Sequence, residues 1–203
     1  IKISKEIIAT LPIETFPGKI VVIDNERDAD NAVLQLNNER IIGFDTETRP
    51  TFKKGKSNHV ALIQLSTHDT CYLFRINRIG FTPAIKNLLE NESLLKVGIS
   101  LKDDFCMLSR LNGGQFIPKN FIELQKFVKK YNIEDQSLQK IYGIVIGKKI
   151  SKGQRLSNWE ADHLTENQQL YAATDAWSCI KIYEVLKSGK FKSPIYKIQP
   201  SSL

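Results

Sequence analysis

Apolar positions along this chain fall first into short runs and later into helix-spaced stripes. Ile20-Val21-Val22-Ile23 is a β-branched run that predicts a strand, after which Ala29, Val33 and Leu36 recur at helical spacing. Ile41-Ile42-Gly43-Phe44-Asp45, Val60 to Ser66 and Thr70 to Phe74 predict three further strands, with a Lys-rich loop from Thr51 to Asn58 between the first two. Consecutive strands with short links suggest an antiparallel meander. A helix around Phe81 to Leu89 leads to a strand over Leu94 to Ile99, and from there the chain alternates toward helix. The last helix has the clearest start: Thr165 with Gln168 makes a capping box, and the pattern runs unbroken to about Leu186.

Strands first and helices after, with some crossover, predict one mixed α/β domain over residues 19–188. Residues 1–18 mix Ile, Pro and polar side chains without period and end at Phe16-Pro17-Gly18, so an extended arm is expected there, with a tail over 189–203. No internal repeat or low-complexity tract appears.

The bulk numbers change this picture little. The chain has 203 residues, 41% of them apolar, enough for one substantial core. It lacks both an apolar run long enough to span a membrane and the apolar stretch of a secretory signal near its start, so a soluble protein is expected. Cys71, Cys106 and Cys179 are odd in number and dispersed, with no C-x-x-C pair. That signals neither a disulfide framework nor a zinc site, and predicts reduced thiols and an intracellular, cytoplasmic location. The net charge of +7 and pI near 9.2 favour an anionic partner, through counterion release if that partner is nucleic acid.

The acids carry more information. In Phe44-Asp45-Thr46-Glu47 the two carboxylates are two apart on a strand and leave the same face, where they could share a cation. Three hydrophobic residues and a glycine lead into Asp45, placing it at the end of a buried strand, where an unpaired charge needs a cation or hydrogen bonds. Asp24-Asn25-Glu26 has the same spacing but precedes a helix, whose N-terminus accounts for its acids. Further on, a turn of about 100° per residue puts Asp104 in the middle of the stripe formed by Leu101, Met107, Leu108 and Leu111. Asp103 instead suits a first turn capped by Ser100. On the last helix Tyr171 and Asp175 are four apart and share a face, at the margin of an arc containing Ala172, Ala173, Ala176, Trp177, Cys179 and Ile180. The small alanines would let this helix approach the sheet and bring Asp175 toward Asp45 and Glu47. Tyr131 and Asp135 repeat the spacing across a break at Asn132-Ile133-Glu134, so they need not face each other.

Taken together these segments resemble the DEDD exonucleases in their tyrosine-containing branch, over about residues 19 to 188. The first motif is similar to Ile41 through Glu47 followed by Val60-Ala61-Leu62-Ile63-Gln64-Leu65, and the second to Val97-Gly98-Ile99-Ser100 running to Asp104. The third resembles Leu164-Thr165-Glu166 running through Tyr171 to Asp175, and Leu156-Ser157-Asn158-Trp159 matches the Werner-type pattern within the family. Thr48-Arg49 stands where that pattern often has an aromatic residue, and Ser100 where some relatives carry Asn.

The resemblance implies an RNase H-like fold and removal of nucleotides from a 3′ end as 5′-monophosphates. It further implies two Mg²⁺ or Mn²⁺ ions, about 4 Å apart, bridged by Asp45. Glu47 and Asp175 would complete one site and Asp104 would serve the other, directly or through water, with Tyr171 hydrogen-bonding the attacking water. All-oxygen ligands suit such hard cations. Thr46, Asn158 and Trp159 are candidate substrate contacts, and Lys53, Lys54, Lys56, Lys148, Lys149, Lys152 and Arg155 could track phosphates of a single-stranded or recessed end. DNA is the favoured substrate. The alternatives are an exoribonuclease of the RNase D kind, against which the short stretch after the last helix leaves no room for the usual helical RNA-binding domains, and a catalytically silent nucleic-acid-binding domain.

Overall fold

The computed structural model describes residues 1–50, 59–189 and 191–192. In chain order, helix α1 (Lys5–Thr10) precedes strand β1 (Lys19–Ile23), helix α2 (Glu26–Leu36), and strands β2 (Ile41–Thr48), β3 (Val60–Ser66) and β4 (Thr70–Phe74). Helices α3 (Ile76–Ile79) and α4 (Pro83–Leu89) lead to strand β5 (Leu95–Gly98), helix α5 (Leu101–Leu111) and strand β6 (Phe121–Glu123). Helix α6 (Leu124–Phe127) continues into a 3₁₀ turn at Val128–Tyr131, and helices α7 (Leu138–Ile146) and α8 (Glu166–Lys187) follow. The strands form one sheet in the order β1-β4-β3-β2-β5-β6. The pairs β2–β3 and β3–β4 are antiparallel, which is the expected meander, while β1–β4, β2–β5 and β5–β6 are parallel.

Alternation along β2 divides the molecule into two layers. Ile42 and Phe44 pack with Ile63, Leu65 and Phe74 against α2, α4 and α5. Leu62, Leu73 and Val97 lie in the second core, with the buried residues of α7 and α8. Strand β3 is buried at every position, as befits a strand covered on both faces.

The first 18 residues are not an extended arm. Ser4 caps α1 by accepting the Ile7 N–H, a helix of six residues being too short for its period to show in the sequence. Ile3, Leu11 and Phe16 are 2%, 4% and 3% exposed and belong to the α8-side core. Glu14 anchors the segment through Lys148 and Lys181, each 2.7 Å away, and through the Tyr142 hydroxyl, and the lysines hold its carboxyl down at about 2 against the raising effect of burial. Helix α2 likewise begins earlier than its apolar stripe, because Asn25 accepts the Asp28 N–H and caps it.

Candidate active site

Two glycines let backbones meet where side chains would keep them apart. A Cβ on Gly43 of β2 would stand 1.9 Å from the Ala176 carbonyl oxygen, so α8 lies directly on the strand. The sequence places Ala172, Ala173 and Ala176 at this contact, all fully buried. A Cβ on Gly98 would meet the Phe44 carbonyl oxygen at 2.9 Å, so the end of β5 is equally tight on β2. Pairing of β2 with β5 runs only from Ile41 to Gly43, leaving the rest of β2 free on that edge. The chain turns there through Ser100, whose φ of 59° is left-handed, and α5 starts beside the free edge.

These contacts gather the acids. One carboxylate oxygen each from Asp45, Glu47 and Asp175 lies within 4.8 Å of the others, an all-oxygen set suited to a hard divalent cation. Glu47 is 8% exposed, and Asp45 and Asp175 are half-buried. Asp104 stands slightly apart: it comes from the opposite layer, where its Oδ1 accepts the Thr46 hydroxyl at 2.6 Å. It is still near enough to raise the pKa of both Asp45 and Glu47.

Burial raises the pKa of every member, and the like charges of the cluster add to it at Asp45 and Glu47. Burial first, then Asp175 and Asp104, push Asp45 well above the usual carboxylate range. Burial and then Asp45, Asp175 and Asp104 push Glu47 up to about 10. Burial raises Asp175 to about 7 against the opposing pull of the Tyr171 hydroxyl and Lys152, and raises Asp104 to about 6 against Thr46. Tyr171, 8% exposed, is raised by burial and by Asp175, Glu47 and Asp45, so it keeps its proton. Such a cluster is poised to exchange protons for cations.

The other expected contacts fare unevenly. Thr46 is half-exposed and donates its hydroxyl to Asp104, so it positions an acid. Trp159 is fully buried with its ring 6.0 Å from that of Tyr171, which makes it a support for the tyrosine and corrects its assignment to substrate. Asn158 is exposed and shapes its turn by accepting the Glu160 N–H. Of the basic residues, Lys148 is held by Glu14, and Lys149 donates to the Ala9 carbonyl, so neither is a free phosphate contact. Lys152 and Arg155 are exposed, and Lys152 is close enough to act on Asp175. Lys53, Lys54 and Lys56 lie outside the described residues.

Several residues of the site's surroundings escaped the sequence reading. Glu123 of β6 accepts the Ser100 and Leu101 N–H groups and takes the capping role expected of Ser100. Arg75, 2% exposed, donates to the carbonyls of Ala161 and Asp162, and Arg78 donates to Asp162 as well. Together they tie down the loop that carries Trp159. Gln64, part of the first motif but given no role there, is buried on the strand paired with that of Asp45. Tyr131 and Asp135 have separate partners: Asp135 serves Ile3 and Lys140, and Tyr131 packs on Phe127.

Comparison with known proteins bears on the family and the fold. The protein WRN of Mus musculus, a bifunctional 3′-5′ exonuclease and ATP-dependent helicase, is 37% identical over 188 residues. The match covers 87% of this chain and 13% of that protein, so the chain spans about an eighth of its relative's length. Among solved structures, the Nibbler EXO domain of Aedes aegypti superposes with a TM-score of 0.78 at 23% identity, covering 92% of this chain and 94% of that one. RNase D of Trypanosoma brucei, in complex with RNA U12, gives 0.75 at 20% identity and covers 88% of this chain and 65% of that one. These structures share the RNase H-like fold. The family described as 3′-5′ exonuclease, a divalent-metal-dependent one, matches residues 20–189, and this chain belongs to it.

Proposed function

We propose that this chain hydrolyses nucleic acid from a single-stranded or recessed 3′ end, releasing nucleoside 5′-monophosphates one at a time. The observation that carries the reading is the convergence of Asp45, Glu47 and Asp175 within 4.8 Å, with Asp104 hydrogen-bonded alongside. Asp45, Glu47 and Asp175 would hold one Mg²⁺ or Mn²⁺, and Asp45 with Asp104 a second. When bound, such cations supply positive charge for activating water and for offsetting the charge on a departing 3′ oxygen. Tyr171, a neutral phenol braced by Trp159, is placed to orient the attacking water beside Asp175. Thr46 holds Asp104 in place. Lys152 and Arg155, both exposed, are proposed to meet phosphates, together with Lys53, Lys54 and Lys56.

DNA is the substrate this proposal favours, and an RNase D-like exoribonuclease is the alternative on the same fold. A silent binding domain would not need the full set of acids and the tyrosine that this chain retains. An intracellular, reducing location is part of the proposal, supported by three free cysteines. The test is incubation with 5′-labelled single-stranded and recessed-end DNA and RNA in Mg²⁺, Mn²⁺ or EDTA. A ladder shortening from the unlabelled end, lost in EDTA and in Asp45→Ala, is expected. Full activity of purified Asp45→Ala would overturn the assignment, and the faster of the DNA and RNA arms names the substrate.

A further inference from the structure

Gln64 has no exposed surface, and neither its Nε2 nor its Oε1 hydrogen-bonds to any described residue. A buried amide without partners weakens a fold, and an apolar side chain of similar volume would not, so packing alone gives no reason for it. Its place in the sheet does give one. In the antiparallel β2–β3 pair Gln64 lies directly opposite Asp45, so both side chains leave the same face, and Glu47 is the diagonal neighbour on that face. Diagonal neighbours on one face of an antiparallel pair are within reach of a side chain as long as glutamine, so the amide can meet the Glu47 carboxylate. Its Nε2 offers two donors and adds no charge, whereas a lysine there would compete with a bound cation and a glutamate would add to the repulsion.

We propose that Gln64 is a positioning residue of the acid cluster: with a divalent cation bound, its side-chain amide donates to the Glu47 carboxylate and fixes which oxygen faces the cation. A carboxylate that ligates through one oxygen needs its other oxygen held, and such outer partners change metal affinity or activity by about 10- to 100-fold. The inference rests on the reading of Asp45, Glu47 and Asp175 as a cation site.

The test compares the parent chain with Gln64→Met in three measurements: Mn²⁺ binding by calorimetry, melting temperature in EDTA, and kcat and KM on a labelled oligonucleotide. Gln64→Met should bind Mn²⁺ about tenfold more weakly. Its kcat should fall with KM little changed, and in EDTA it should melt no lower than the parent. A merely structural amide predicts the opposite, a lower melting point with unaltered Mn²⁺ affinity, and that result overturns the proposal. If Gln64→Met does not fold, Gln64→Leu replaces it in the same comparison. In a Glu47→Gln background the Gln64 substitution should add no further loss of Mn²⁺ affinity, and a fully additive loss also counts against the proposal. Failure of the parent itself to bind Mn²⁺ would instead sink the reading of the cluster as a cation site.

Discussion

The contact between Gly43 and Ala176 makes the acid cluster sensitive to a single methyl group. In Gly43→Ala the new Cβ would stand 1.9 Å from the Ala176 carbonyl oxygen and 2.7 Å from its carbon. Real Cβ atoms essentially never come closer than 3.0 Å, so α8 must retreat from β2 by about 1.1 Å. Backbone atoms on both sides make the contact, and no rotamer change relieves it. Asp175 precedes Ala176 in the chain and moves with it, away from Asp45 and Glu47. Misplacement of about 1 Å in a reacting constellation costs on the order of 100-fold in rate. Overpacking of this kind costs roughly 1–3 kcal/mol, which for a chain of this size lowers the melting temperature by roughly 2–12 °C.

The assay is hydrolysis of a 5′-labelled oligonucleotide at saturating Mn²⁺, with the melting temperature recorded alongside. Gly143→Ala is the control, because a Cβ there meets side chains and no backbone: the tips of Ile3 and Leu11, each at 3.3 Å, and Ile8 Cγ1 at 3.8 Å. It should leave the rate unchanged. A folded Gly43→Ala protein whose rate stays within about threefold of the parent would refute the claim that this close approach sets the cluster's geometry.

Other expectations follow from the same structure. Asp45, Glu47, Asp104 and Asp175 have folded pKa values above their ordinary ones, so the folded state holds extra protons, and in EDTA stability should fall as pH rises from about 4 through the folded values near 6 and 7. Melting in EDTA and in Mn²⁺ at pH 5 and pH 8 checks this: the gain from Mn²⁺ should be larger at pH 8, and a larger gain at pH 5 contradicts it. Arg75→Met removes charge-assisted bonds to the Trp159 loop, worth about 1.5–3 kcal/mol, and should slow hydrolysis by unbracing Tyr171; unchanged urea unfolding rules the clamp out. Glu14→Ala should cost about 1–3 kcal/mol and open residues 1–18 to limited proteolysis, an expectation that an equally protected segment would defeat.

How much of this was legible in the sequence depends on how far apart the interacting residues lie. The strand that ends in Asp45-Thr46-Glu47, the helical face of Asp104 and the capping box at Thr165 are set by neighbours, and all three stand where their local patterns put them. Strand β6 has three residues and α1 has six, too few for any period to appear. Lys148 and Lys149 looked like free cations because their partners, Glu14 and the Ala9 carbonyl, come from the other end of the chain. Trp159 sat in a matching motif, but a motif does not say which way a ring points, and that direction depends on a clamp by Arg75, far back on the meander. Glu123 as the cap of α5 and Gln64 as the neighbour of Asp45 exist only once strands are paired.

The distinction also explains why the cluster can exist at all. Four crowded acids, one buried and three half-buried, gain little from their immediate neighbours, Thr46 easing Asp104, and Tyr171 and Lys152 easing Asp175. Their proximity is therefore imposed from outside the cluster, by α8 seated on Gly43 and by β5 seated on β2 through Gly98. Both contacts are backbone on backbone, which resists the small retreat that would relieve the repulsion. Burial and the neighbouring carboxylates push the pKa values of Asp45 and Glu47 upward, which favours their protonated forms. A divalent cation entering the cluster would compete with those protons for oxygens that the fold already holds within 4.8 Å of one another.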